Sequence, residues 1–313
     1  MLWEKKGLIY CPSGNENWSK THAQVPTPFY FEAENIIRVF YATRNSDNKS
    51  LISFIDLDAD DPLKINFINP EPLLMFGKTG TFDDSGVMPS WAITHEGLLY
   101  LYYIGWNVRN TVPYHNSVGL AVSNDNGRSF NRYSEGPLWD RDYREPYFSA
   151  STCVLKEENI WKVWYLSCTE YRKINDKAEP RYHIKYAESK DGINWDRRGH
   201  VAIDYKSENE AGIVKATVFK DCGNYKMLFS YRNFDNYRTD INNSYKIGYA
   251  ESADGINWNR KDEESGMVHS AYGWDSEMLC YPHTIAVKEK LLLFYNGNGF
   301  GQSGFGYAEA VKF

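Results

Sequence analysis

Five runs along the chain, at residues 36–41, 98–103, 161–166, 225–229 and 291–295, are dense in aromatic and β-branched side chains. That composition suits a pleated and largely buried strand. Before each lies a run of small and polar residues: 22–30, 84–93, 145–154, 210–219 and 277–287. Their starts are spaced by 62, 61, 65 and 67 residues, the mark of a modular fold. After each pair comes a third alternating strand and a tight turn. Segment 186–195, Tyr-Ala-Glu-Ser-Lys-Asp-Gly-Ile-Asn-Trp, returns with one change at 249–258; a relative occupies 120–130, and a truncated copy stands at 307–309. In each full copy Asp caps the turn, Gly supplies positive φ, and the aromatic starts the next strand.

Five units of four antiparallel strands predict an all-β, five-bladed β-propeller, with residues 1–313 as one domain. The last unit stops at its third strand, 304–309, so residues 2–9 are expected to supply the fourth and close the ring. Closure removes the edges that invite aggregation. Segments 171–181 and 233–244 read as loops within blades three and four.

Composition narrows the function. A net charge of −6 without a basic stripe argues against nucleic acid. No apolar span or leader precedes the first strand, which points to a cytoplasmic protein with no membrane span. Cys11, Cys153, Cys168, Cys222 and Cys280 are odd in number and lack metal-type spacing, so they read as reduced, packed thiols. Aromatic content of 16% suits blade packing and a carbohydrate-facing cleft alike.

In a propeller the first strand of each blade lines the central channel, so the starts of those strands name the candidate site. They contribute His22, Gln24, Asp83, Asp84, Arg144, Glu145, Glu210, Lys215, Asp275, Glu277, Tyr281 and His283, while Arg44, Asn107, Glu170, Arg232 and Asn296 end the second strands. Charged side chains are rarely buried without partners, so their recurrence suggests either a site or an ion-pair network filling the channel. Glu145, Asp84, Glu210 and Glu277 are the candidate catalytic carboxylates. His22, Gln24, Arg44, Trp106, Lys215, Arg232, Asp275, Tyr281, His283 and Asn296 are the candidate substrate-binding residues. Trp91 and Trp274 are further candidates for stacking on a sugar ring. The Arg side chains suit a phosphate or carboxylate, which they grip as a fork. The glycine-rich 296–301 segment precedes no helix, so it reads as a loop admitting a ligand closely rather than a phosphate loop.

The fivefold pattern, the inner-strand carboxylates and the Ser-x-Asp-Gly-x-x-Trp hairpins resemble the five-bladed glycosidase group of arabinanases, invertases, levansucrases and mannoside phosphorylases. That resemblance implies carboxylates from separate blades flanking a glycosidic bond, one as acid and the other as base or nucleophile. Blade three keeps Arg144-Glu145-Pro146. Blade one instead reads His22-Ala-Gln-Val-Pro26, and Met88-Pro89-Ser90 stands where the phosphorylases carry an acid and an arginine. The expected function is a cytoplasmic enzyme, hydrolase-, phosphorylase- or transferase-like, acting on a glycosidic or sugar-phosphate bond, with a link to surface-glycan metabolism. A non-catalytic glycan-binding or scaffolding propeller is the alternative. No organic cofactor or resident metal is expected. His22 and His283 leave a channel metal ion open, and the cations leave inorganic phosphate open as a co-substrate.

Overall fold

A computed structural model describes residues 1–174 and 176–311. Strand β1 (Trp3–Tyr10) precedes four sequential strand groups. The first contains β2 (Thr21–Phe31), β3 (Ile36–Arg44), β4 (Ser50–Asp58) and β5 (Ile65–Ile68), and the second β6 (Gly86–His95), β7 (Leu98–Val108), β8 (Tyr114–Ser123) and β9 (Asn131–Arg132). The third contains β10 (Ser149–Glu157), β11 (Ile160–Ile174), β12 (Lys177–Ser189) and β13 (Trp195–Ile203). In the fourth are β14 (Glu210–Asp221), β15 (Asn224–Asn233), β16 (Lys246–Ser252) and β17 (Asn259–Arg260). The chain ends with β18 (Cys280–Val287), β19 (Lys290–Asn296) and β20 (Phe305–Ala310).

These strands pair into three sheets, of four, eight and eight strands. Each larger sheet comprises two antiparallel four-stranded units joined by one parallel bridge, Ser50 to Gly86 in one and Tyr182 to Gly212 in the other. The expected separate four-stranded sheets are therefore fused in pairs. β1 lies antiparallel to β20 and supplies the last unit's fourth strand, from Trp3 opposite Ala310 to Tyr10 opposite Phe305.

All five first strands carry a register shift at corresponding positions, for example between Pro89 and Trp91 and between Val214 and Thr217. Such a bulge bends a strand and frees backbone groups. Neighbouring units satisfy them: Val25 N–H donates to Asn296 Oδ1 at 2.7 Å, Lys215 N–H to Ser151 Oγ at 3.1 Å, and Tyr281 N–H to Ser230 Oγ at 2.8 Å. First strands touch in the order β2, β6, β10, β14, β18, and β18 touches β2 again.

Two expectations change. Segment 171–181 is largely strand, because β11 and β12 extend their pairing out to Ile174 and Lys177; Asn175 lies outside the described residues. Cys153, Cys168 and Cys280 are packed, but Cys11 and Cys222 are exposed; all five are free thiols.

Candidate functional site

Four of the carboxylates expected at the centre are paired within their own units. Asp83 accepts Tyr103 Oη at 3.2 Å and Arg132 Nε at 2.8 Å. Glu145 accepts Tyr165 Oη at 2.7 Å, Lys185 Nζ at 3.0 Å and Arg197 Nη1 at 2.7 Å. Arg260 grips Glu210 with both amino groups, at 2.8 and 2.5 Å, and lies 5.1 Å from the Phe229 ring centre. Asp275 accepts Lys5 Nζ at 2.6 Å and Tyr295 Oη at 3.0 Å. One device thus recurs in four units: a buried acid at or just before the start of the first strand, a base from the fourth, and an aromatic from the second. Unit one replaces it with uncharged contacts, Ser19 to Thr43 at 2.8 Å and Tyr41 to Tyr10 at 3.4 Å.

Sequence reasoning singled out the acids and missed their bases. The signal was present, since Arg132, Arg197 and Arg260 each stand two residues after the repeat aromatic, Phe130, Trp195 and Trp258. Two candidate carboxylates remain without a basic partner among the described residues. Half-buried Asp84 accepts Gly80 N–H and Ser85 Oγ, both at 3.0 Å; exposed Glu277 donates its backbone N–H to Asn298 Oδ1.

The starts of the first strands and the ends of the second strands instead gather cations and aromatic rings. Arg44 has no carboxylate partner among the described residues: Nε donates to Gln24 Oε1 and Nη1 to Asn48 Oδ1, both at 3.0 Å. Asn48 and Lys49 share one turn, and Lys49 Nζ reaches the Asp84 carbonyl at 3.1 Å, so Arg44 and Asp84 flank that turn. Burial, then the Arg44 charge, pushes the His22 imidazole down to about 4, leaving it neutral near pH 7. Gln24 continues to the Phe300 carbonyl at 2.9 Å. Half-buried Tyr281 lies 6.0 Å from Tyr245, whose hydroxyl bonds Tyr182 at 2.5 Å.

Buried Arg232 is also without a carboxylate among the described residues. It lies 3.8 Å from the Tyr237 ring centre, donates to Tyr182 Oη at 3.3 Å, and leaves Nε without a partner. Because Nε and Cγ face Gly212, the charge is wedged among rings rather than presented openly. Four aromatic members of this cluster, Tyr182, Tyr237, Tyr245 and Phe300, were not anticipated. Their order along the chain does not show that they meet.

Below this level, Lys215 Nζ lies 3.1 Å from His283 Nδ1, and His283 stacks on Trp91 with ring centres 4.3 Å apart. Burial pushes Lys215 down to about 7, and burial with the neighbouring Lys215 charge pushes His283 well below its usual value. A cation would meet Lys215 at His283, while His22 Nδ1 is engaged with Thr21 Oγ1 at 2.8 Å. These two histidines do not fit a shared metal, and the described residues contain no group of three or more His, Cys, Asp or Glu arranged to hold one.

Other expected site residues serve joints. Asn296 binds Val25 N–H, the Ala23 carbonyl and the Gly304 carbonyl, which clasps the last unit to the first. At Gly301 the close approach comes from Asn296 and the Ala23 carbonyl, rather than from a ligand: an added Cβ would lie 2.5 and 2.9 Å from them. Half-buried Trp106 donates to Ser50 Oγ at 2.7 Å, and Trp274 stacks on Tyr295 at 5.0 Å.

No family model matches the chain. Over 308 residues it is 33% identical to the uncharacterized protein Rv1502 of Mycobacterium tuberculosis (strain ATCC 25618 / H37Rv), covering 98% of this chain and 99% of that one. The chain belongs to this mycobacterial protein's family. It is also 23% identical over 190 residues to a 1,2-beta-oligomannan phosphorylase of Thermoanaerobacter sp. (strain X514), across 58% of this chain and 60% of the other. Among solved structures, one described as a glycoside hydrolase superposes with a TM-score of 0.75 at 17% identity, covering 98% of this chain and 90% of its own. At that identity the likeness is one of fold, which this chain shares with the glycoside hydrolase. No helix among the described residues is long and apolar enough to cross a membrane.

Proposed function

We propose that residues 1–313 form one five-bladed β-propeller closed by β1, and that its central face handles carbohydrate bearing or meeting an anionic group. Contact of β18 with β2 and the Asn296 clasp support closure. The observation that carries the functional reading is Arg44, a guanidinium on that face with no carboxylate partner among the described residues and a neutral histidine beside it. A guanidinium so placed matches the oxyanions of phosphate or a carboxylate. Similarity to an oligomannan phosphorylase and to the glycoside hydrolase fold supports an enzyme acting on a glycosidic or sugar-phosphate bond, with inorganic phosphate as the co-substrate. Fold alone does not assign chemistry, so the weight rests on the site. Of the candidate acids, Asp84 is half-buried beside the same turn as Arg44 and has no basic partner among the described residues, which makes it the proposed catalytic carboxylate. Five free thiols support a cytoplasmic setting.

The test is incubation with 1,2-β-linked oligomannan, with and without inorganic phosphate, following released sugar and sugar phosphate. Phosphate-dependent turnover, abolished in Arg44→Gln and Asp84→Asn, is the expected result. One observation favours a second reading, a glycan-binding propeller: Asp83, Glu145, Glu210 and Asp275 are all committed to ion pairs. That reading gains if oligomannan raises the melting temperature while no product forms.

A further inference from the structure

Between β19 and β20 the backbone does something costly. Gly299, Phe300 and Gly301 are all left-handed in succession, with φ of 63°, 60° and 93°. Glycine tolerates that region, whereas a bulky aromatic there is an outlier whose strain persists only when its surroundings impose it. The surroundings are specific. Phe300 N–H meets Met278 Sδ at 3.2 Å, and its carbonyl accepts Gln24 Nε2 at 2.9 Å. Its ring lies edge-on to Tyr237 and Tyr245, with centres 6.2 and 6.1 Å away, yet remains half-buried. The other end of the Gln24 amide holds Arg44 Nε. A single side chain therefore ties the proposed anion-binding guanidinium to the strained aromatic.

We propose that Phe300 is the platform on which a sugar ring stacks, and that Gln24 positions it relative to an anion held by Arg44. The inference rests on the central-face reading above and adds to it the residue that recognises the apolar face of the sugar. Aromatic rings bind sugars through that face, and orientation needs few polar groups when the platform is rigid. Left-handed backbone at three successive residues, fastened at both the N–H and the carbonyl of Phe300, supplies the rigidity.

Calorimetric titration of mannose 1-phosphate and of inorganic phosphate separates the parts, using the wild type, Phe300→Leu, Phe300→Gly and Arg44→Gln. Both Phe300 variants are expected to lose at least tenfold in affinity for the sugar phosphate while keeping their affinity for phosphate. Arg44→Gln is expected to lose both ligands. Phe300→Gly also removes the strain, so its melting temperature should match or exceed that of Phe300→Leu; a residue retained only for packing would give the opposite order. Unchanged sugar-phosphate affinity in Phe300→Gly overturns the platform alone. No binding of either ligand by the wild type overturns both the platform and the central-face reading.

Discussion

Glu145 shows how a residue that reads as catalytic in one dimension becomes a joint in three. Its carboxylate is almost fully buried and meets Lys185, Arg197 and Tyr165. Removing one partner of such a group strands the others without compensation, at a cost of about 3–5 kcal/mol. Glu145→Gln should therefore lower stability by that order in urea unfolding, whereas Glu277→Gln, on an exposed side chain, should stay within about 0.5 kcal/mol of the wild type. Equal effects would remove the structural role given to Glu145. Lys215 supports a second expectation. Its pKa falls from 10.5 to about 7 on folding, chiefly through burial, with His283 and Cys153 beside it. Between those values the unfolded chain binds the extra proton and the folded chain does not, so stability rises with pH across that window. Below about 7 the full penalty of a buried charge is present. Lys215→Met should thus be more stable than the wild type at pH 6, and the gap should narrow by pH 10, read as the difference between their melting temperatures.

At the scale of elements, the bulged first strands and β1 decide whether the units join. The five strand pairs were legible because each presents the same kind of apolar run, and three of the units add an Asp-Gly or Asp-Asn-Gly turn. Pairing of β1 with β20 was legible because the last unit visibly lacked a strand. The bulges were not, since a one-residue register shift leaves composition unchanged while redirecting side chains. Nor was the role of the 296–301 glycines, which depends on a neighbouring unit's backbone. Gly301→Ala should destabilise by about 1–3 kcal/mol, because φ of 93° is strained for alanine and its Cβ would press on Asn296 and Ala23. Deleting residues 1–10 leaves β20 as an open edge and removes Lys5 from Asp275. Size-exclusion chromatography of that deletion should show aggregation; a stable monomer would contradict the closing role of β1.

For the whole molecule, charge is sorted by position. Acids stand at or just before the starts of the first strands, where bases from the fourth strands pair with four of them, while Arg44 is held by amides and Arg232 by aromatic rings. Repeat spacing made the architecture readable, because it survives in one dimension. The sorting was less readable, because Glu145 and Arg44 are both charged residues at strand ends and only their partners distinguish them. Arg197, two residues beyond Trp195, was the legible half of that distinction. The central claim is that the face holds an anion through Arg44. Its most direct test is calorimetric titration of inorganic phosphate at low ionic strength into the wild type and Arg44→Gln. One saturable site in the wild type, weakened at least tenfold in the variant, is predicted. Equal binding by the two proteins, or no binding by the wild type, would contradict it.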